Sequence, residues 1–218
     1  MRVLFVEDEK KIANPDALGS VILNEVWNQF GTQIGLDMTD ETLIQKYNRE
    51  HPETYSDVSK KIMQDERYKK ANKEMKEQQK KGELTDQYTG NKIKQSDKPN
   101  LDHTVSRKEL FENERRKQAN IKTEDLANKK ENLNPTNESL NKSKGAKSVD
   151  ELVSNRAERE TAYKEQNKKA NEKIDKSNMS DAEKRVAKEK NNKNLQDKLD
   201  ANDDLMKEKD KAARGAIN

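Results

Sequence analysis

The sequence predicts an α+β protein that is mostly α, with one small two-stranded unit set between extended polar helices. Three observations point there. Lys, Glu, Gln, Leu and Ala are good helix formers, and seven Gly and four Pro are too few for a flexible linker chain. Residues 84–105 switch to a β-prone stretch punctuated by turns. Of 218 residues, 29% are hydrophobic, 4% aromatic and 40% charged, and mean hydropathy is −1.40. Buriable apolar area is thus scarce against the entropy of ordering the chain, so small cores linked by exposed helices are expected rather than one large core.

Residues 3–6 form a short apolar run with strand character. From Pro15 a helix is expected, with Leu18, Val21, Ile22, Val26, Trp27, Phe30 and Ile34 near i, i+3/4 spacing and Gly31 and Gly35 loosening its end. Thr39 or Asp40 caps a second helix bearing Leu43, Ile44 and Tyr47, which stops before Pro52. Residues 54–81 form a third helical segment carrying Tyr55, Val58, Ile62, Met63 and Tyr68, ended by Gly82. Then Tyr88-Thr89-Gly90-Asn91-Lys92-Ile93 reads as strand, tight turn, strand, and Lys98-Pro99-Asn100 as a turn ahead of Leu101-Asp102-His103. After Gly145 the chain is helical again, with capping patterns at Ser148-Val149-Asp150-Glu151 and Ser180-Asp181-Ala182-Glu183. Leu152, Val153, Tyr163 and Ile174 are too sparse for a packed face. The tail from Val186 on is expected to lean on other elements or to be partly disordered.

Charge and cysteine usage narrow the function classes. Lys+Arg number 45 and Asp+Glu 42, net +3, so no global field draws the chain to nucleic acid or an anionic membrane, and any phosphate-binding surface must arise from local clustering. With no Cys there are no disulfides and no thiolate metal sites. The start lacks a signal-peptide core and no run approaches a membrane span. A cytoplasmic protein, or one carried in a virion, is expected, with no membrane contact.

One constellation points to chemistry. Leu101-Asp102-His103 follows a hairpin signal; Asn132-Leu133 comes later, and nine residues past Asn132 stands Asn141, with Lys144 at its +3 position and Gly145 next. This order resembles the core of HNH endonucleases, which have the ββα-metal fold, and is similar to the cysteine-free HNH domain of CRISPR effector nucleases. The resemblance implies that Asp102 and Asn141 ligate Mg²⁺ or Mn²⁺ and that His103 is the general base. It further implies that Asn132 braces the loop positioning the histidine and that Lys144 faces DNA phosphates. Many family members hold this unit with a zinc knuckle of two Cys pairs; here the corresponding positions are Asp86, Thr89, Asn137 and Leu140, so no zinc is expected. The long insert 104–131 carries Arg107, Lys108, Arg115, Arg116 and Lys117, a basic cluster suited to a DNA backbone. A dozen N-terminal residues resemble the opening of response-regulator receiver domains. Arg49-Glu50-His51-Pro52 stands where the phosphoacceptor would be, so that reading is set aside.

The expected organisation is an N-terminal arm and helical region (1–82), an HNH-like ββα-metal domain (83–147) and a charged helical C-terminal region (148–218). The expected function is a divalent-metal-dependent endonuclease acting on DNA, phage or mobile-element encoded. The alternative is a non-catalytic helical structural protein of a phage-like assembly, in which partner chains cover the polar helices.

Overall fold

A computed structural model of the protein describes residues 41–218 together with Ile22 and Val26. The expected strand at 3–6 and most of the Trp27 stripe lie outside the described residues. Backbone contacts divide the chain into two compact units, 1–50 and 51–218. In the first, Ile22 and Val26 are helical and more than half exposed, and helix α1 (Leu43–Glu50) carries the buried Tyr47. The expected caps, Thr39 and Asp40, lie outside the described residues. Thr42 fills that role: Gln45 N–H donates to Thr42 Oγ1 at 3.2 Å and Gln45 Oε1 accepts from Thr42 N–H at 2.7 Å.

The second unit is mostly helical with a single two-stranded antiparallel sheet. Segment 54–81 is not one helix but two, α2 (Tyr55–Gln64) and α3 (Glu66–Lys80). Thr54 and Asp57 form a reciprocal capping box at the start of α2. Asp65 breaks the run: its backbone is extended and its carboxylate accepts from Arg67 N–H at 2.8 Å, so it caps α3. Gly82, at φ +74°, turns the chain out of α3 in the left-handed conformation that only glycine adopts cheaply. The expected hairpin at 84–94 is a narrow loop closed by one bridge, Thr85 to Lys92, with Gly90 at φ +78° at its tip.

Strand β1 (Pro99–His103) pairs antiparallel with β2 (Leu133–Asn137), Asp102 opposite Asn134 and His103 opposite Leu133. Pro135 is tolerated in β2 because it faces away from β1 for hydrogen bonding, its carbonyl accepting from Gln87 N–H at 2.9 Å, so no ladder bond to β1 is lost. The insert between the strands folds into α4 (Arg107–Glu112), α5 (Glu114–Gln118) and α6 (Thr123–Ala127), then a 3₁₀ turn at Lys130–Asn132. After β2 come α7 (Glu138–Lys144), α8 (Val149–Ser154), α9 (Arg156–Asp175), α10 (Asp181–Leu199) and α11 (Asp203–Ile217).

Three small cores hold the unit. Val58 and Ile62 of α2 pack with Val105, Leu110, Leu126 and Ala213. Tyr68 and Met75 of α3 pack with Leu84, Ile93, Leu101 and Leu133. Tyr88 packs with Leu140, Val149, Leu152 and Met206. The expected borders after residue 82 and before residue 148 therefore both run through shared cores. The tail is not uniformly peripheral either, because Met206 and Ala213, two helical turns apart on one face of α11, enter different cores. Helices α9 and α10 bury no residue. They are joined by side-chain amides: Asn167 and Asn171 donate to Asn192 Oδ1 at 2.9 and 3.0 Å, and Asn191 donates to Asn171 at 3.2 Å. Among the described residues, no helix is long and apolar enough to cross a membrane.

Candidate functional site

Strand β1 ends in Asp102 and His103, and the alternation of side chains sends them to opposite faces of the sheet. Leu101 and His103 face α3, where the His103 ring stacks on Tyr68 with centroids 5.5 Å apart and planes 8° apart. Asp102 faces α7. Both also line one cleft of about 780 Å³ that runs between α3 and α7 past the end of β1, and Asn141 of α7 lines it as well. Arg107, Lys76 and Lys98 bring positive charge to the same walls, while Asp97 and Glu138 bring negative charge. Three residues expected to act together are thus brought to one cavity.

His103 is 6% exposed. Its Nε2 lies 3.3 Å from Asn128 Oδ1, and Asn128 Nδ2 donates to the Ile62 carbonyl at 3.0 Å. That second bond fixes which way the amide points, so Asn128 presents an acceptor to the ring. His103 therefore carries its proton on Nε2, leaving the Nδ1 lone pair as its basic atom. Burial lowers its pKa to about 4; the Asn128 hydrogen bond opposes this, and the charges of Arg107 and Lys144 add to it. The ring is neutral at neutral pH.

Linkage turns this into a stability prediction. Between about pH 6.5 and pH 4 the unfolded chain takes up a proton on His103 that the folded, metal-free protein refuses, so acidification through that window destabilises the fold by about 3 kcal/mol. Denaturant titrations in EDTA, wild type against His103→Asn, isolate the term from Asp86 and Asp102, whose raised carboxyls push the other way. Parallel pH curves for the two proteins would contradict it.

Asp102 sits in a directional hydrogen-bond chain. Tyr88 Oη donates to Asp102 Oδ2 at 2.7 Å, so it accepts from Thr104 Oγ1 at 2.8 Å, which in turn accepts from Asn134 Nδ2 at 2.7 Å. The same Oδ2 is paired with Lys144 Nζ at 2.9 Å. Burial pushes the Asp102 carboxyl up, and the Lys144 ammonium and Tyr88 hydroxyl oppose it.

The expectation that Lys144 faces DNA phosphates is corrected here. Lys144 is 1% exposed, and its ammonium also donates to the His103 carbonyl at 2.9 Å. The +3 spacing does put Lys144 on the Asn141 side of α7, but that side is turned onto β1. Arg116 is likewise internal, donating to the carbonyls of Leu110, Phe111 and Ile121, so it organises the insert. Arg115 is exposed, and Lys117 lies over the Phe111 ring at 5.8 Å. Arg107 donates to Ser59 Oγ at 2.7 Å and keeps its place on the cleft wall.

Asn132 grips the loop that follows the histidine. Its Oδ1 accepts from Val105 N–H at 2.7 Å, its Nδ2 donates to the Val105 and Ala127 carbonyls, and its backbone carbonyl accepts from Thr104 N–H at 3.0 Å. Asp86, fully buried, has a similar hub role. Its carboxylate accepts from the backbone N–H groups of Tyr88, Thr89 and Asn137, from Thr136 Oγ1 and from Asn137 Nδ2, at 2.8–3.1 Å. Positions 86, 89 and 137 are three of the four where the resemblance puts zinc-binding cysteines. In this chain a hydrogen-bonded carboxylate ties them together.

For a metal, Asp102 and Asn141 offer one carboxylate and one carboxamide on a shared wall, and the Asn141 amide makes no hydrogen bond to a described residue. Among the described residues, no three His, Cys, Asp or Glu side chains converge. Asn128, Tyr68 and Tyr88 are the site residues that sequence reasoning missed; their contacts to residues 102–103 span 14 to 35 positions, and no local pattern encodes them. Compared with known proteins, the chain matches no family model, no curated protein and no solved structure.

Proposed function

We propose that the cleft between α3 and α7 is the active site of a divalent-metal-dependent endonuclease of HNH type that hydrolyses DNA phosphodiester bonds, of the kind carried by phages and mobile elements. The observation that supports this most is that Asp102, His103 and Asn141 line one cavity where two antiparallel strands and the helix after them meet. In this reading His103 Nδ1 takes the proton of the attacking water while Asn128 holds the opposite ring nitrogen. The low pKa keeps the base neutral but weak; a phosphate in the cleft raises it toward the working pH. Arg107, Lys76 and Lys98 draw the polyanion to the walls.

The oxygen donors of Asp102 and Asn141 suit Mg²⁺ or Mn²⁺ in kind, with water completing the shell. Such an ion, when bound, neutralises charge developing on the scissile phosphate and the leaving 3′ oxygen. Lys144 competes with it for Asp102. A binding test follows: Mn²⁺ titrated into the full chain and read as loss of the free-ion paramagnetic resonance signal is expected to bind wild type about tenfold or more tighter than Asn141→Ala, since that change removes a direct ligand. Equal Mn²⁺ binding by the two proteins would overturn the ligand assignment.

The Lys144–Asp102 pair also favours a second reading, a non-catalytic helical protein of an assembly in which the ion pair stands permanently where the metal would be. Metal that binds only after Lys144 is replaced would favour this second reading over the first.

A further inference from the structure

Across α7 from the cleft lies a second cavity of about 400 Å³, walled by α7, the turn after it, α9 and α10. Lys142, Lys147, Arg159 and Lys198 line it, and no carboxylate does. The cleft differs, because there Lys76, Lys98 and Arg107 share the walls with Asp97, Asp102 and Glu138. Lys142 pairs with Glu138 at 2.8 Å. Lys147, Arg159 and Lys198 make no ion pair among the described residues. Their contacts are neutral: Lys147 with the Ser143 carbonyl at 3.4 Å, Arg159 with the Leu152 carbonyl and the Tyr163 hydroxyl, and Lys198 over the Tyr163 ring at 5.0 Å. Arg159 Nε is buried with no hydrogen-bond partner. Asp197 of α10, which precedes Lys198, is already held by Lys193 at 3.1 Å and by Ser139 at 3.2 Å.

Three unpaired cations supplied by three separate elements, with the Ser143 and Tyr163 hydroxyls between them, make an oxyanion site rather than a solvated helix face. We infer that this cavity binds a backbone phosphate of nucleic acid. The choice of polymer over a free oxyanion rests on the reading of the cleft as a phosphodiester-cleaving site. Asn141 lines the cleft and Lys142 and Ser143 line this cavity, so only the body of α7 separates them. A helix is about 10 Å wide, and a nucleic-acid strand carries a charge about every 3.4 Å of rise, so three or four nucleotides bridge the two.

The test uses the full chain in EDTA, where no turnover occurs, so its result is independent of whether the cleft cleaves. Binding of a fluorescein-labelled duplex oligonucleotide is followed by anisotropy between 50 and 200 mM salt. The triple variant Lys147→Gln, Arg159→Gln, Lys198→Gln is expected to bind about tenfold or more weakly, with a log–log salt slope shallower by about 0.9, the contribution of the one phosphate no longer neutralised. The charge-preserving triple Lys147→Arg, Arg159→Lys, Lys198→Arg should keep the wild-type slope even where packing around Tyr163 changes. Neutralising the exposed Lys168, Lys173 and Lys176 should leave the slope unchanged. An unchanged slope in the first triple, or an equal fall in the Lys168 set, would overturn the inference. So would displacement of the oligonucleotide by inorganic phosphate at matched total phosphate, which would mark a site for a free oxyanion.

Discussion

His103→Ala is expected to lower divalent-dependent DNA cleavage by about 10²–10⁴, because a positioned general base contributes that much to the rate. The cause is specific to one atom. Nε2 is held by Asn128, so Nδ1 is the nitrogen with a free lone pair, and no other imidazole lines the cleft. Asn128→Ala should give a smaller loss of rate with a changed pH profile, since it leaves the base present but frees the ring to turn and removes the contact that favours the charged form. The charge of DNA binding is untouched in both variants, so oligonucleotide affinity in EDTA should stay within about twofold. Cleavage by His103→Ala at the wild-type rate would remove the histidine from the chemistry.

Lys144→Met is expected to destabilise the fold by about 3–5 kcal/mol, the usual consequence of stripping one partner from a buried ion pair. Both side chains are nearly inaccessible, 0% and 8%, so solvent does not take over from the missing ammonium. The loss also frees the His103 carbonyl that Lys144 caps. Adding Asp102→Asn to Lys144→Met should restore more than half of that stability, because the remaining amide carries no charge to leave unpaired. Urea denaturation of the four proteins gives the coupling energy directly. A Lys144→Met protein within about 1 kcal/mol of wild type would show the pair to be solvated and open, contrary to its burial.

What was legible in the sequence was local. Ser180 and Glu183 form the reciprocal cap their spacing suggests, and Ser148 accepts from Glu151 N–H as expected. Gly82 ends α3, and α9 and α10 bury no residue, as the sparse Tyr163 and Ile174 implied, whereas Leu152 and Val153 of α8 join the core around Tyr88 against expectation. What escaped was tertiary. The i, i+3 relation of Asn141 and Lys144 gives a shared helix face but not which way that face turns, and β1 covers it. Asp65 reads as one more polar residue in a helical run until its carboxylate is seen capping α3. Met206 and Ala213 are two small apolar marks among charges, and only the positions of Tyr88 and Ile62 make them core. Asn128 has no sequence signature at all, because its value lies in a bond to a residue 25 positions away.

The central claim is that Asp102, His103 and Asn141 form a working phosphodiester-cleaving site. Supercoiled plasmid incubated with the full chain tests it most directly, with Mg²⁺, with Mn²⁺ and with EDTA in parallel, and the conversion to nicked or linear DNA read on a gel. The expected result is conversion with at least one of the two ions, none in EDTA, and a loss of about 10²–10⁴ in rate for His103→Ala under the same conditions. Conversion that persists in EDTA, or no conversion with either ion at protein in excess over plasmid, would contradict it.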